Sequence, residues 1–153
     1  GVEGLYACGE ATGGMHGADR IGGLSSANGI VFGRIAGASA AQAAQKEPET
    51  ALKADIALPQ YGIAATDAER LTHSLRHTMS TYCMINRTET GLSEALHELE
   101  NIQDDATALN KPHANDSEIA ALARIQSQIQ LAQEMVKAMR NRTESLGSHY
   151  RAN

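Results

Sequence analysis

The sequence predicts a mainly α-helical protein in which a strand–loop–helix segment precedes an antiparallel three-helix bundle. Three observations carry this. Residues 1–45 hold eleven of the fourteen glycines, leaving only Gly62, Gly91 and Gly147 for the rest of the chain. The first part is therefore shaped by its backbone and the second by its side chains. Apolar residues then recur at 3,4,3,4,3 spacing along two long stretches, the period of one helix face. Finally, aromatics make up 3% of the 153 residues, with one Phe and no Trp. The core must be aliphatic and Ala-rich, which favours helices over an aromatic sandwich.

Taken in order, residues 4–9 form a short apolar run expected to be a strand. A glycine-dense loop with His16, Asp19 and Arg20 follows and closes on Gly22-Gly23. Ser25 to Gln45 reads as an Ala-rich helix. Gly29, Gly33 and Gly37 recur every four residues on one of its faces, so another backbone can approach closely there. Residues 47–65 read as a connector, because Pro48, Pro59 and Gly62 interrupt regular structure. The expected organisation is thus 1–46, a linker over 47–65, and a helical domain over 66–153.

The helical domain has three stripes. Thr66 followed by Glu69 has the spacing of a capping box, and Leu71, Leu75, Met79 and Tyr82 follow at helical intervals. The second stripe is Leu92, Ala95, Leu99, Ile102, Ala106 and Leu109. A polar loop with Asn110, Pro112 and Asn115 leads to a further cap over Asn115–Glu118. The third stripe is Leu122, Ile125, Ile129, Ala132, Val136 and Met139. Two long heptad-like stripes and a shorter one make a bundle.

Charge and composition exclude several roles. A net charge of −5 argues against a general nucleic-acid surface. No run of about 18 apolar residues is present, so no direct membrane insertion is expected. No basic segment followed by an apolar one opens the chain. Cys8 and Cys83 are far apart and read as reduced thiols, which suits a cytoplasmic location. His73 and His77 lie four apart on one helix without a third ligand, so no metal site is expected. The chain opens on Gly1 with residues that read as mid-domain strand, so it is expected to be a piece of a longer polypeptide.

Strand, polar loop and helix together place charged groups and backbone N–H groups where an anionic ligand binds. Glu10, at the strand end, is either an acceptor for ribose hydroxyls or a surface glutamate. Arg20 offers a planar fork for a carboxylate, or an ion pair with Asp19 or Glu10. Ser25 and Ser26 open the helix, where the dipole favours negative charge and where either could simply cap it. His16 is a further hydrogen-bonding group.

These residues also carry a resemblance. GLYACGEATGGMHGADRIGG closely resembles the C-terminal signature of FAD-dependent fumarate reductase and succinate dehydrogenase flavoproteins, a family that includes L-aspartate oxidase. Its usual form is G-L-[YF]-A-x-G-E, a glycine-rich spacer, then H-G-A-N-R-L-G-G-N-S, with V-F-G-R-x-A-G in the following helix. At the other end, residues 142–151 (RTESLGSHYR) resemble the family's R-x-E-S-R-G-x-H-x-R.

The resemblance implies that residues 1–46 are the last strand, loop and helix of an FAD-binding α/β domain, joined to the family's helical domain. It implies FAD as cofactor and a small carboxylate as substrate, with hydride passing between the flavin and a carbon–carbon bond. Glu10 matches the glutamate on the FAD ribose, Arg20 the arginine that grips a substrate carboxylate, and Ser25 the serine beside the flavin ring. Ser26 stands next to it, its backbone N–H being the group expected to matter. No catalytic residue is assigned. The family's nucleotide-binding βαβ unit, capping domain and proton-donating arginine would come from the remainder of the flavoprotein, so this chain alone is expected to be inactive. Asp19 replaces the usual Asn, Leu24 a second Asn, and Leu146 an Arg. The alternatives are an L-aspartate oxidase or other carboxylate or enone reductase, or a stand-alone helical interaction module.

Overall fold

A computed structural model describes residues 2–17, 20–46 and 60–152. The chain divides into two units, Gly1–Asp55 and Ile56–Asn153. The mainly helical class read from the sequence holds. Asp19 and most of the expected connector (47–59) lie outside the described residues.

In the first unit a single 3-10 turn, Gly9–Thr12, precedes helix α1, Leu24–Ala44. The strand expected over residues 4–9 is not formed. Cys8 has extended dihedrals (φ −152°, ψ 165°), but the described residues give it no strand partner, and backbone groups need one to make a ladder. Gly9 then takes φ 65° and turns the chain into the 3-10 turn, which Thr12 Oγ1 closes by donating to the Gly9 carbonyl at 2.6 Å. The small-residue stripe of α1 meets this segment. A Cβ on Gly9 would stand 3.5 Å from Gly29 Cα, and one on Gly33 would stand 3.6 Å from Cys8 Sγ. No residue of α1 is buried, and Ile30, Val31, Phe32 and Ile35 are exposed.

The second unit holds α2 (Ala65–Tyr82), α3 (Glu89–Ala108) and α4 (Asp116–Asn141). Contacts fix their directions. Arg70, early in α2, reaches Asp105, late in α3, while Arg140, late in α4, reaches Glu89, first in α3. Consecutive helices are therefore antiparallel. The striped residues meet inside: Leu71, Leu92, Leu99, Ile125, Ile129 and Val136 are essentially inaccessible, with Ala95, Ile102 and Ala106 among them. Each large aliphatic side chain so buried contributes about 1.5–3 kcal/mol.

Caps and short strand pairs finish the bundle. At Asn115 the expected cap is a full capping box: its side chain accepts from the Glu118 N–H at 3.1 Å, and Glu118 accepts from the Asn115 N–H at 3.1 Å. Lys111 adds an ion pair, and these bonds hold the Glu118 carboxyl below its ordinary range. The capping box expected at Thr66–Glu69 is absent. Helix α2 starts two residues earlier than such a cap requires, on the N-cap Ala64, so Thr66 already lies inside the first turn and no side chain caps the helix. Strand β1 (Tyr61–Gly62) pairs antiparallel with β3 (Lys111–Pro112), and β2 (Asn86–Arg87) pairs parallel with β4 (Tyr150–Arg151). Given the helix directions, one pair lies at each end of the bundle.

Candidate functional site

The loop of the first unit folds around a small hollow. Glycines at 13, 14 and 17 take φ of 61–68°, which lets the chain double back without a Cβ clash. The hollow measures about 210 Å³ and is lined by Glu10, His16, Arg20 and Ser25 together with loop glycines. Of the four residues assigned to cofactor or substrate from sequence, Glu10, Arg20 and Ser25 thus face one space. Ser26 does not line it, and its N–H donates to the Gly23 carbonyl at 3.1 Å. The N-cap of α1 is Gly23, left-handed at φ 84° and without a capping side chain. The Ser25 N–H makes no backbone hydrogen bond among the described residues, and an open donor at a helix start suits an anionic or hydroxyl-bearing group.

This polar set holds one carboxylate, one guanidinium, one imidazole, one hydroxyl and one open amide. It fits part of a dinucleotide cofactor, namely a ribose hydroxyl or the polar edge of a flavin. The volume is below the 300–1,000 Å³ or so of a typical small-molecule site, so the described residues accommodate only a portion of such a molecule. A Cβ at Gly13, Gly14 or Gly17 would meet nothing within 4 Å, so the loop's outer side is open.

In the second unit, polar groups behave as structure. His149 is buried, its Nε2 lies 2.8 Å from the Arg142 carbonyl, and its Nδ1 faces the Arg87 guanidinium. The guanidinium can only donate, so Nδ1 accepts and Nε2 carries the proton: a neutral imidazole held in one tautomer. Arg151 donates to Glu89 at 2.7 Å and Arg140 does the same, holding that carboxyl below its ordinary range. The histidine and final arginine of the second motif thus tie the C-terminal segment to the rest of the bundle. Spacing alone did not reveal this, since Arg87 and His149 are 62 residues apart. Burial pushes the Cys83 thiol up, against an opposing effect from Arg87, which keeps it protonated and unreactive. Among the described residues no group of three or more His, Cys, Asp or Glu could hold a metal ion, and no helix is long and apolar enough to cross a membrane.

Residues 72–153 match the family model described as fumarate reductase flavoprotein C-term. The chain belongs to this family. An FAD-dependent oxidoreductase of Methanocaldococcus jannaschii, itself uncharacterised, is 34% identical over 98% of this chain and 29% of its own length. A component of the CoM/CoB fumarate reductase of Methanothermobacter marburgensis is 28% identical over 98% of this chain and 29% of its own. A mitochondrial succinate dehydrogenase flavoprotein of Xenopus laevis is also 28% identical over 98% of this chain, and 24% of its own length. The chain thus spans less than a third of each of these relatives. The family match covers all three bundle helices except the first turns of α2, and reaches the C-terminal segment that His149 and Arg151 anchor. No solved structure gives a significant match.

Proposed function

We propose that this chain is the C-terminal part of an FAD-dependent oxidoreductase of the fumarate reductase/succinate dehydrogenase type, and that residues 1–46 supply part of its flavin and substrate site. The observation that carries this is the convergence of Glu10, Arg20 and Ser25 on one hollow. The Glu10 carboxylate accepts hydrogen bonds from the FAD ribose. The Ser25 hydroxyl and N–H, at the positive end of α1, donate to the polar edge of the flavin; Ser26 supports that turn through its bond to Gly23. Arg20 holds a substrate carboxylate with its fork, fixing the reacting carbon at the flavin face. Bound FAD supplies the hydride chemistry itself.

The remainder of the flavoprotein covers the exposed apolar residues of α1 and completes the site, and the chain alone is inactive. Residues 1–46 belong to the FAD domain, 47–65 link, and 66–153 form the helical domain. Two free cysteines fit a reducing cytoplasmic location. Two measurements test the reading. FAD titrated into the purified chain should leave the flavin absorbance bands unchanged; stoichiometric tight binding would overturn the incomplete-site reading. The coding sequence immediately upstream of Gly1 should contain an in-frame glycine-rich nucleotide-binding unit, and a stop codon in its place would overturn the assignment.

A further inference from the structure

The C-terminal segment of the helical unit hangs on one buried side chain. From Arg142 to Ser148 every residue is exposed, as is Tyr150, while Arg151 and Ala152 are half-buried. His149 alone in this stretch is buried. It is also the one buried histidine among the described residues, since His73, His77, His97 and His113 are exposed and His16 is half-buried in the other unit.

Both ring nitrogens of His149 are committed. Nε2 donates to the Arg142 carbonyl at 2.8 Å, and Nδ1 accepts from the Arg87 guanidinium of β2. A second ring proton would sit on Nδ1, facing a group that has five N–H donors and no acceptor. That proton would remove one hydrogen bond and set two cations in contact. The surroundings supply no counter-charge. Among the described residues no carboxylate lies within ion-pair distance of His149. Glu89, at the start of α3, is already shared by Arg140 of α4 and Arg151 of β4. Cys83, at the end of α2, offers Arg87 Nε its carbonyl at 3.2 Å, and burial pushes its thiol up, so it brings no negative charge. Arg142 and Glu144, on the segment itself, are exposed.

We infer that the Arg87–His149 contact is a pH-sensitive latch: the neutral imidazole closes it, and protonation opens it and frees residues 142–152 from the link between α2 and α3. The strand pair opens with it, because the Tyr150 and Ala152 N–H groups donate to the Ile85 and Arg87 carbonyls of that link. A free imidazole takes up its proton at about pH 6.5. The open segment gains this proton and the closed one has no place for it. The latch is therefore at full strength above that pH and weakens as pH falls below it. The Glu89 carboxyl, held below 4.5, responds only to stronger acid, so the two effects separate. This inference concerns the helical unit and does not rest on the flavin-site reading.

The test follows amide hydrogen exchange and imidazole 15N shifts in the full chain from about pH 7.5 to about pH 5. After correction for intrinsic exchange, protection of the Tyr150 and Ala152 amides should fall about tenfold to thirtyfold, the reach of one proton taken up only by the open form. Over the same range the closed imidazole should carry its proton on Nε2 alone. Two variants remove the conflict. His149→Gln presents a carbonyl oxygen to Arg87 and an amide N–H to the Arg142 carbonyl, and has no charge to gain. Arg87→Gln can turn its amide to donate to the neutral ring or to accept from the protonated one. In both, protection should change by less than about threefold over this range. The inference is overturned if the parent's protection itself changes by less than about threefold, if either folded variant keeps the parent's fall, or if the imidazole gains its second proton while Tyr150 and Ala152 stay protected.

Discussion

Gly62→Ala should destabilise the helical unit by about 2 kcal/mol. A Cβ built on Gly62 stands 2.6 Å from Ala114 Cβ, 2.6 Å from the Glu118 carbonyl carbon and 2.8 Å from its oxygen. Two of these three atoms are backbone, so no rotamer change relieves the contact. Gly62 is not in the left-handed region, so the cost is packing and not dihedral strain. Overpacking of this kind costs about 1–3 kcal/mol. The shift it forces also loosens the bond from the Ile63 N–H to the Glu118 carbonyl, 3.2 Å long, worth about 1 kcal/mol. Stiffening of the unfolded chain returns about 0.4–1 kcal/mol. For a domain of this size about 2 kcal/mol lowers Tm by roughly 8–16 °C. Thermal melting followed at 222 nm measures it, with Gly37→Ala as control, since a Cβ at Gly37 meets nothing within 4 Å. A Gly62→Ala variant melting within about 2 °C of the parent would refute the reasoning.

Two further outcomes follow from the caps and clasps. Asn115→Ala removes the side chain that anchors the capping box of α4 and should cost about 1 kcal/mol; an unchanged denaturation midpoint would show that the cap contributes nothing. Glu89 has its carboxyl pKa lowered below 4.5 by hydrogen bonds from Arg151 first and Arg140 second. A lowered folded-state value means its contribution is present above the unfolded carboxylate pKa and disappears as pH falls through the folded one. Glu89→Gln should therefore reduce stability at neutral pH and flatten the acid limb below pH 4.5; parallel acid limbs for variant and parent would contradict this.

The helical unit was legible because periodicity reports burial directly. The stripes of α3 and α4 supply most of the buried apolar residues, and the Asn115 cap sits where Asn and Glu are three apart. Thr66–Glu69 has equivalent spacing and fails, because Ala65 starts the helix before Thr66 can cap it. Spacing states that a cap can form; the preceding chain decides whether it does. The expected strand over 4–9 failed for lack of a partner, which an apolar run does not encode. The two-residue strand pairs join positions about 50 and 64 apart, far too short to leave any alternation in sequence. At the loop, Glu10, Arg20 and Ser25 were singled out by their places before, within and after the glycine-rich loop and by the family resemblance, and they line one hollow. The bond that occupies the Ser26 N–H depends on the dihedrals of Gly23 and was not readable.

Those strand pairs have a consequence for local opening. Helix termini ordinarily fray first, because their last backbone groups lack intrahelical partners. Here the bond from the Ile63 N–H to Glu118 secures the start of α4, and the bonds from the Tyr150 and Ala152 N–H groups to Ile85 and Arg87 secure the link between α2 and α3. Amide protons near both ends of the bundle should therefore exchange with solvent through the same cooperative event as those in its middle. A protection profile that declined smoothly toward each helix end would describe three frayed rods, and the hoops make the unit open as one body.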